Sequence, residues 1–314
     1  MILSVSRRTD IPNYYSDWFY NRIKEGFLYV RNPMNPHQVS KINLSPEVVD
    51  CIVFWTKNPE PMLKRLQELQ DYKYYFQFTL TGYGTDIESN IPHKKDTMIP
   101  IFKKLSDAIG KERVIWRYDP ILFTKRYTME YHQKAFVQIA EALQGYTDKC
   151  VISFVDSYAK IKKNMDILQV QEKSTEEIKH FARELSRIAH QNNMSIATCA
   201  ERIDLSECGI EHNCCIDKEL IESIIGCSIK VSKDSGQREE CGCVQSVEVG
   251  TYNTCKNGCK YCYANYSPDS VQKNAANYDV DSPLLCGTVS EADKITERKV
   301  QSLKDRQMKW DQSL

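Results

Sequence analysis

Three cysteines near the end of the chain have a spacing that suits metal chemistry. Cys255, Cys259 and Cys262 follow the pattern C-x3-C-x2-C, and Tyr261 stands immediately before the third cysteine. Three thiolates can hold zinc when a fourth ligand comes from elsewhere, although structural zinc sites usually use two C-x2-C pairs. Cubane iron–sulfur clusters are also held by thiolates, normally four. A loop with three cysteines would therefore leave one iron open to a small molecule.

Four other cysteines form a second candidate group. Its predicted members are Cys199, Cys215, Cys241 and Cys243. Four thiolates could enclose a fully ligated iron–sulfur cluster or a structural zinc ion, or they could remain reduced thiols. Cys214 and Cys208 are alternatives to Cys215 as the ligand from this region. The remaining cysteines lie in or beside apolar segments and are predicted core residues: Cys51, Cys150, Cys227 and Cys286.

The elements that position these cysteines read as strands alternating with amphipathic helices. Seven apolar runs, each followed by polar residues, are predicted strands: 2–6, 51–55, 74–80, 113–116, 150–155, 194–198 and 246–252. Such runs are typical of an α/β protein with a parallel sheet. A partial TIM-like (βα) barrel would collect the strand ends, and hence an active site, on one rim. An open doubly wound sheet is the alternative, but no G-x-G-x-x-G follows a strand.

The organisation along the chain predicts a single domain over residues 1–314. Within it, residues 200–245 read as a cysteine-rich insertion with little apolar material. Residues 246–265 contain the last strand and the cysteine motif. From residue 288 onward, the sequence predicts a polar helix capped by Ser290.

The composition narrows the class of protein. Lys+Arg and Asp+Glu both number 42, so the formal net charge is zero and broad binding to nucleic acid is not expected. The longest apolar runs are far shorter than the ~20 residues of a membrane span. The start, "MILSVSRRTD", lacks the features of an export signal. These features predict a cytoplasmic protein without a membrane partner.

The cysteine motif, with its preceding tyrosine, resembles the signature of the radical S-adenosylmethionine (SAM) enzymes. The resemblance implies a [4Fe-4S] cluster whose open iron binds the amine and carboxylate of SAM. It also implies reductive cleavage of SAM to methionine and a 5′-deoxyadenosyl radical, with Tyr261 shielding the cluster and contacting the adenine. In these enzymes the motif follows the first strand of a partial barrel, whereas here it follows the last. The implied fold is a circularly permuted radical SAM barrel, with strand 246–252 beside the N-terminal strand.

The whole chain also resembles DUF1848, a bacterial family with no assigned reaction. The resemblance is carried by "SRRTDIP", "FWTKNP", "QFTLTGYG", "RYDPI", "CAE", "CGC" and "YNTCKNGCKYCYAN". It extends over nearly the full length of the chain. It supports the cysteine site and does not name a substrate.

Charged residues after the predicted strands are candidates for binding the cofactor. Related enzymes bind the amine of SAM with a Gly-Gly-Glu segment, but this sequence has no Gly-Gly pair. Asp10 is therefore predicted to bind the amine, and Arg7 or Arg8 the carboxylate; a structural ion pair is the alternative. Arg117 and Asp119 are further cofactor-binding candidates. Other polar residues predicted on this rim are Thr56, Lys57, Thr79, Thr81, Tyr83, Asp156 and Glu201, whereas His37 and His93 are predicted surface residues.

These features together predict a radical SAM enzyme that acts on an unknown polar substrate, small or macromolecular. A flavodoxin or ferredoxin-type protein is the expected reductant. Two alternatives remain open. One is a non-catalytic iron–sulfur electron-transfer protein, and the other is a zinc-stabilised nucleic-acid-binding module.

Overall fold

The protein has a mixed α/β fold in a computed structural model that describes residues 1–156 and 158–305. The strands of this part of the chain are β1 (Ile2–Val5), β2 (Phe27–Asn32), β3 (Asn35–Asn43), β4 (Cys51–Thr56), β5 (Tyr74–Thr79), β6 (Val114–Ile121), β7 (Lys149–Phe154), β8 (Ser195–Thr198), β9 (Glu211–His212), β10 (Val247–Glu248) and β11 (Lys294–Glu297). The α-helices are α1 (Ile11–Tyr14), α2 (Ser16–Glu25), α3 (Glu60–Leu63), α4 (Ile99–Ile109), α5 (Met129–Leu143), α6 (Lys162–Leu168), α7 (Thr175–Gln191), α8 (Lys218–Ile225) and α9 (Pro268–Ala276).

The larger sheet contains eight parallel strands in the order β10-β1-β4-β5-β6-β7-β8-β9. The seven predicted strands all lie in this sheet, and the two-residue β9 adds an eighth that the sequence did not indicate. Parallel neighbours need long crossover connections, which explains why helices alternate with the strands. Within the described residues, β9 and β10 are the edges and no pairing joins them, so the sheet is open.

One face of the sheet packs against the longer helices. Aromatic side chains dominate this contact because a parallel strand buried on both faces can be apolar throughout. The ring centroids of three strand–helix pairs lie within 5.4 Å: Phe19–Phe54 at 5.4 Å, Phe78–Phe102 at 4.9 Å and Trp116–Phe136 at 4.7 Å. These pairs join β4, β5 and β6 to α2, α4 and α5 in the main core.

The opposite face of the sheet is covered by the segment 200–245. Val53, Tyr75 and Ile115 from the strands pack with Ile216 and Ile221 of this segment in a second apolar cluster. The expectation that the segment contains little apolar material was wrong. Short runs such as "CCID" and "LIESII" supply enough buried side chains to cover the face.

Local sequence signals mark the ends of two helices. Ser174 and Glu177 form a capping box at the start of α7: the Ser174 side chain accepts the Glu177 N–H, and the Glu177 side chain accepts the Ser174 N–H. Gly110 follows α4 at φ +95°, a conformation that favours glycine.

The predicted helix capped by Ser290 is absent from the described residues up to 305. Residues 294–297 instead form β11, which pairs in parallel with β3 beside the β2–β3 hairpin. The backbone N–H of Ser290 donates to Asp293, whose carboxylate also accepts from Arg31 at 2.8 Å. The open edge of β3 pairs with residues 294–297, so their backbone hydrogen bonds are made to a strand and not within a helix. Residues 306–314 lie outside the described part of the chain.

The last strand of the large sheet lies beside the first, as predicted. In β10 and β1, Val247 is in register with Leu3 and Glu248 with Ser4. This pairing brings the end of β10, seven residues before the first cysteine of the motif, next to the residues that follow β1. Among the described helices, none is long and apolar enough to cross a lipid bilayer.

Candidate cofactor site

The segment 255–262, which we call the cysteine loop, is held against the end of β1 by Asp10. The Asp10 carboxylate accepts from Asn257 Nδ2 at 2.9 Å, from Thr56 Oγ1 at 2.6 Å and from the Lys57 backbone N–H at 2.8 Å. It also caps α1 by accepting from the Asn13 N–H. Burial raises the pKa of Asp10, against these hydrogen bonds. Both carboxylate oxygens accept hydrogen bonds within the protein, so Asp10 positions the cysteine loop. Its contact with the amine of SAM stays a prediction.

The connection between β5 and α4 supports the other side of the cysteine loop. Glu88 and Cys259 form an isolated antiparallel bridge, and the Lys260 N–H donates to the Ile87 carbonyl at 3.0 Å. At Gly258, φ is +69° and an added Cβ would lie 3.2 Å from the Cβ of Ser89. Glycine therefore satisfies both the positive φ and the close approach of the two segments.

Glu88 is a buried charged residue of this site that the sequence did not reveal. Its Oε1 accepts from Lys57 Nζ at 2.7 Å and Thr81 Oγ1 at 2.9 Å, and also from the Tyr261 hydroxyl. Its Oε2 accepts from Lys94 Nζ. Burial opposes ionisation, but the two lysines lower the pKa of Glu88 to about 2. Glu88 therefore stays a carboxylate that fixes the motif tyrosine, whose own pKa burial raises well above its ordinary value.

Asn265 connects the cysteine loop to the predicted cofactor residue Arg8. Its Oδ1 accepts the N–H groups of Thr254 and Cys255, both at 2.8 Å. Its Nδ2 donates to the Arg8 carbonyl at 2.9 Å and to Cys262 Sγ at 3.6 Å. The Arg8 guanidinium lies over the Tyr252 ring at 4.7 Å and donates through Nη1 to the Gly250 carbonyl at 3.4 Å. Among the described residues, no carboxylate forms an ion pair with it. Arg8 thus remains a cation available to an anionic ligand.

The structure brings together all four members of the second predicted cysteine set, which we call the inner cysteine group: Cys199, Cys215, Cys241 and Cys243. Cys199 Sγ and Cys215 Sγ are 3.2 Å apart. Cys243 Sγ accepts the Ile216 backbone N–H at 3.3 Å. The neighbouring Cys215 thiol lowers the pKa of Cys243, but the Cys241 thiol and burial raise it to about 11.

The two alternative ligands lie elsewhere. Cys214 Sγ faces the backbone of Gly242, where an added Cβ would come within 2.5 Å of it. Cys208 Sγ donates to the Lys179 carbonyl on α7. Cys51 and Cys150 are buried core residues, as predicted, whereas Cys227 and Cys286 are half-buried; all 13 cysteines are free thiols.

Arg117 and Asp119, predicted to bind the cofactor, lie at the inner cysteine group. Arg117 Nη1 donates to Cys215 Sγ at 2.8 Å, and its Nε donates to Asp119 Oδ2 at 2.9 Å. Asp119 also accepts from Ser153 Oγ. The Arg117 side chain is 5% exposed, so its ion pair with Asp119 and its contact with Cys215 are largely shielded from water.

Arg7 and Arg117 both lie close to the ring of Trp55. The guanidinium carbons of Arg7 and Arg117 lie 5.8 and 5.2 Å from the centroid of the Trp55 ring. Arg7 also donates through Nη2 to Ser246 Oγ at 3.1 Å, while its buried Nε has no hydrogen-bond partner among the described residues. Trp55 therefore contacts two cations, a favourable interaction for an aromatic ring.

One cavity joins the cysteine loop and the inner cysteine group. It has a volume of about 700 Å³, and all three loop cysteines and all four cysteines of the inner group line it. Its wall also contains Tyr261, Arg8 and Asn265 on one side and Arg117 on the other. The C-terminal ends of parallel strands commonly form ligand sites. This placement matches that rule.

The other predicted rim residues divide between the cavity wall and the supporting structure. Thr79 and Asp156 line the cavity, as do Thr56 and Lys57. Tyr83 instead donates to the Pro120 carbonyl within an aromatic cluster. Glu201 accepts the Phe154 N–H at 2.7 Å, and burial raises its pKa to about 7. His37 and His93 are exposed, as predicted.

Both cysteine sets contain side chains that can ligate a metal, but neither has the geometry of a formed metal centre. Among residues 1–156 and 158–305, no three His, Cys, Asp or Glu side chains converge as ion ligands do. In the cysteine loop, three free thiols with an N–H donor at Cys262 suit a thiolate-held iron–sulfur cluster. The residue types present therefore fit the cluster that the motif implies, although their side chains are not arranged around a common centre.

Fold and site define an α/β protein with a cysteine-lined cavity at the C-terminal edge of a parallel sheet. A family described as "Domain of unknown function (DUF1848)" matches residues 2–264, and the chain belongs to this family. The match includes all seven cysteines of the cavity.

Comparisons beyond the family carry less. No curated protein matches the chain significantly. Among solved structures, a "putative alpha-L-fucosidase from Bacteroides thetaiotaomicron VPI-5482" aligns at 13% identity over 73% of this chain and 86% of that chain. Its TM-score of 0.26 is too low to support an argument about fold or function.

Proposed function

We propose that the protein is a radical SAM enzyme in which Cys255, Cys259 and Cys262 hold a [4Fe-4S] cluster. The proposal rests chiefly on one observation: the C-x3-C-x2-C loop follows a parallel strand and faces a cavity of about 700 Å³. That volume accommodates a nucleotide-sized cofactor with room for a substrate. When bound, the cluster would supply an electron that cleaves SAM to methionine and a 5′-deoxyadenosyl radical.

The chain's own residues would orient SAM in this cavity. Arg8, which has no ion-pair partner in the described structure, would bind the carboxylate of SAM through its guanidinium. Asn265 would support the cluster through its N–H group near Cys262 Sγ. Tyr261, fixed by Glu88, would form the wall against the cluster. Excluding water and oxygen from the radical is then the task of the surrounding protein.

We also infer that the parallel sheet corresponds to a permuted partial barrel. The pairing of β10 with β1 supports this view, because it puts the last strand where the related enzymes have their first. A flavodoxin or ferredoxin-type protein would supply the electron, and the cytoplasm is the expected compartment. A polar substrate fits the arginine and carboxylate side chains of the wall.

Anaerobic reconstitution tests the proposal. The full chain, loaded with iron and sulfide and then given SAM and dithionite, should form 5′-deoxyadenosine. The variant C255A/C259A/C262A should lose about four irons per chain and all of this product. Cys227→Ala, which removes a half-buried thiol outside the cavity, should leave both unchanged.

Two results would contradict the proposal. Iron that is bound by the cysteine loop without any 5′-deoxyadenosine would indicate an electron-transfer protein. Failure of the cysteine loop to take up iron at all would remove the basis for the enzyme and favour a zinc-stabilised binding module.

A further inference from the structure

We propose that the side chains of Arg7 and Trp55 form a binding site for a carboxylate group of the substrate, within the cavity but apart from the SAM position. The site rests on the proposed function only in that its ligand is called a substrate, because binding of a carboxylate needs neither the cluster nor SAM. Three features of the described structure carry it: hydrogen-bond donors without acceptors, a cation whose neighbouring carboxylates are occupied, and the distance of this cation from the cysteine loop.

Buried polar atoms without partners are concentrated in the residues of the cavity wall. Among the described residues, five buried side-chain nitrogen or oxygen atoms have no hydrogen-bond partner. Three of the five belong to residues that line the cavity: Arg7 Nε, Thr9 Oγ1 and Trp55 Nε1. Buried polar groups are nearly always paired in folded proteins, so unpaired groups at one place indicate a missing partner. A ligand with acceptor oxygens would supply that partner to Arg7 and Trp55.

The cations of the cavity wall differ in whether a carboxylate of the protein already binds them. Five cationic side chains line the cavity: Arg7, Arg8, Lys57, Arg117 and Arg238. The last three each have a carboxylate oxygen within 2.9 Å. The carboxylate nearest to the Arg7 guanidinium, that of Asp234, lies 3.9 Å from Nη2, which is too far for a hydrogen bond. Arg7 and Arg8 are therefore the cations of this wall that can bind an anionic ligand.

The two carboxylates near Arg7 already accept hydrogen bonds from other donors. Asp234 accepts at 3.0 and 3.3 Å from donors of its own loop. Glu248 accepts from Ser4 Oγ at 2.9 Å and from two backbone N–H groups at 3.1 and 2.8 Å. Within the described part of the chain, the Arg7 side chain donates one hydrogen bond, from Nη2 to Ser246 Oγ at 3.1 Å. Its other donors remain for a ligand.

A carboxylate suits these donors better than a phosphate does. The planar guanidinium can donate to both oxygens of a carboxylate at once. Asp234 and Glu248 place two negative charges near Arg7, and they repel a dianion more strongly than a monoanion. The guanidinium carbon of Arg7 lies 5.8 Å from the centroid of the Trp55 ring. An acid held by Arg7 would therefore lie next to the indole, whose N–H is a donor without an acceptor.

Arg7 and Arg8 are adjacent in sequence but contact different parts of the cavity wall. Arg8 lies over the ring of Tyr252, three residues before the cysteine loop. Arg7 instead contacts Ser246, just before β10, and Trp55, near the end of β4. The segment after β1 thus supplies one cation beside the cysteine loop, where SAM is proposed, and a second one for the substrate. A substrate held by its carboxylate at Arg7 could extend toward the loop within the same cavity.

An NMR titration of the full chain with acetate tests the site. At constant ionic strength, acetate should shift the Trp55 indole N–H and the Arg7 Nε–H resonances saturably, with a dissociation constant of about 1–10 mM. Acetamide, which has a similar shape and no charge, should shift neither resonance. Spectra of Trp55→Phe and Arg7→Gln assign the two signals.

Variants connect the shifts to the two side chains. Arg7→Gln should weaken acetate binding at least about tenfold, because the cation is lost. Arg187→Gln, which removes a half-exposed arginine of α7 outside the cavity, is the control and should leave acetate binding unchanged. Trp55→Phe keeps an aromatic ring and removes only the N–H donor. It should weaken acetate binding as read from the Arg7 signal, and it keeps the test decisive if Arg7→Gln folds poorly.

Three results would overturn the carboxylate site: no saturable shift with acetate, an equal response to acetamide, or tighter binding of inorganic phosphate than of acetate. The variant C255A/C259A/C262A separates this site from the proposed function, because acetate should bind it as well as it binds the unaltered chain. Formation of 5′-deoxyadenosine without acetate binding would remove the carboxylate site and leave the enzyme. Acetate binding without that product would leave an anion site and contradict the radical chemistry.

Discussion

Glu88 best explains the geometry of the cysteine loop, although it is not a predicted metal ligand. The Glu88 carboxylate accepts hydrogen bonds from two lysines, a threonine and the motif tyrosine, and its side chain is fully buried. A carboxylate buried this deeply is stable only because its charge is paired. The same carboxylate also fixes Tyr261 beside the loop cysteines. Glu88 therefore both pairs with the lysines and positions the motif.

Replacing Glu88 by glutamine should be strongly destabilising. The substitution leaves Lys57 and Lys94 without their carboxylate, and breaking a buried ion pair typically costs about 3–5 kcal/mol. We expect urea unfolding to report a loss in this range. The double variant K57M/E88Q should lose less than the sum of the single variants, because no unpaired charge remains at position 57.

The exposed pair Lys111–Asp148, whose atoms are 2.8 Å apart, is the control. Asp148→Asn should leave the unfolding midpoint nearly unchanged, because solvent screens this pair. Additivity of K57M and E88Q would show that the two side chains are not coupled and would contradict the assignment.

At this scale, residue type and spacing predicted much of the site but not its partners. The C-x3-C-x2-C motif stands out because its members are close in sequence. The four inner cysteines, which come from three separate segments between residues 199 and 243, line one cavity with the loop cysteines. Glu88, in the unremarkable stretch "TDIESNIP", gave no such signal because its partners come from four separate segments. Asp10 lies at the cysteine loop, where its hydrogen bonds to Asn257 and Lys57 could not be read from the sequence.

At the scale of elements, the contact between the ends of β1 and β10 depends on a glycine. A Cβ added at Gly250 would lie 1.8 Å from Ser6 Oγ and 2.6 Å from Ser6 Cβ. No side chain fits at that separation, so the two strand ends approach only because Gly250 lacks one. The cysteine loop begins five residues later, so this contact helps to set its position.

Gly250→Ala should therefore displace the end of β10. We expect a loss of at least about 2 kcal/mol in the free energy of unfolding, because backbone and side chain must move apart. Adding Ser6→Gly, which removes the clashing atoms, should restore part of this loss. Gly145→Ala is the comparison, since there φ is +83° but no atom lies within 4 Å of the added Cβ. A Gly250→Ala protein that is no less stable than Gly145→Ala would argue against the close contact.

Elements were predictable where the pattern was long and local. Seven apolar runs gave seven strands of the sheet, and the Ser174–Glu177 box gave the start of α7. The region after residue 288 was misjudged because its polar sequence suits a solvated helix equally well. Its strand conformation is decided by the unpaired edge of β3, about 250 residues earlier in the chain.

At the scale of the whole molecule, an aromatic cluster around His132 joins the sheet to two helices. His132, on α5, is fully buried; its ring nitrogens contact Tyr118 OH at 2.8 Å and the Leu122 carbonyl at 3.0 Å. Rings of Tyr83, Tyr127, Tyr131, Phe123 and Phe181 surround it. Burial lowers the pKa of His132 to about 4, and the groups that face it are uncharged at neutral pH.

This histidine should make global stability depend on pH. In the unfolded chain the imidazole titrates near pH 6.5, so between about pH 6.5 and 4 the unfolded state binds a proton that the folded state does not. The free energy of unfolding should consequently fall as the pH falls through this window, by up to about 3 kcal/mol. Urea unfolding at pH 7 and pH 5 measures the change, and His132→Gln should reduce it.

The exposed His93 serves as the reference, because His93→Gln should preserve the pH dependence. An NMR titration in which the His132 imidazole becomes protonated near pH 6.5 in the folded protein would contradict the prediction.

The overall architecture was predictable as a parallel α/β sheet, but the covering of its inner face was not. That covering depends on contacts between the segment 200–245 and strands distant in sequence, which no local pattern encodes. The adjacency of β10 and β1 was inferred from the resemblance to other cysteine-motif proteins and not from the strands themselves.

The pairing of β10 with β1 also has a consequence for biosynthesis. On the ribosome, β1 emerges first, but the strand that covers its outer edge emerges only after about 240 further residues. At typical rates of translation this is a delay of roughly 10–50 s. The nascent chain must keep that edge from pairing with other chains throughout this interval. Any metal bound by residues 255–262 can be acquired only after nearly all of the sheet has been synthesised.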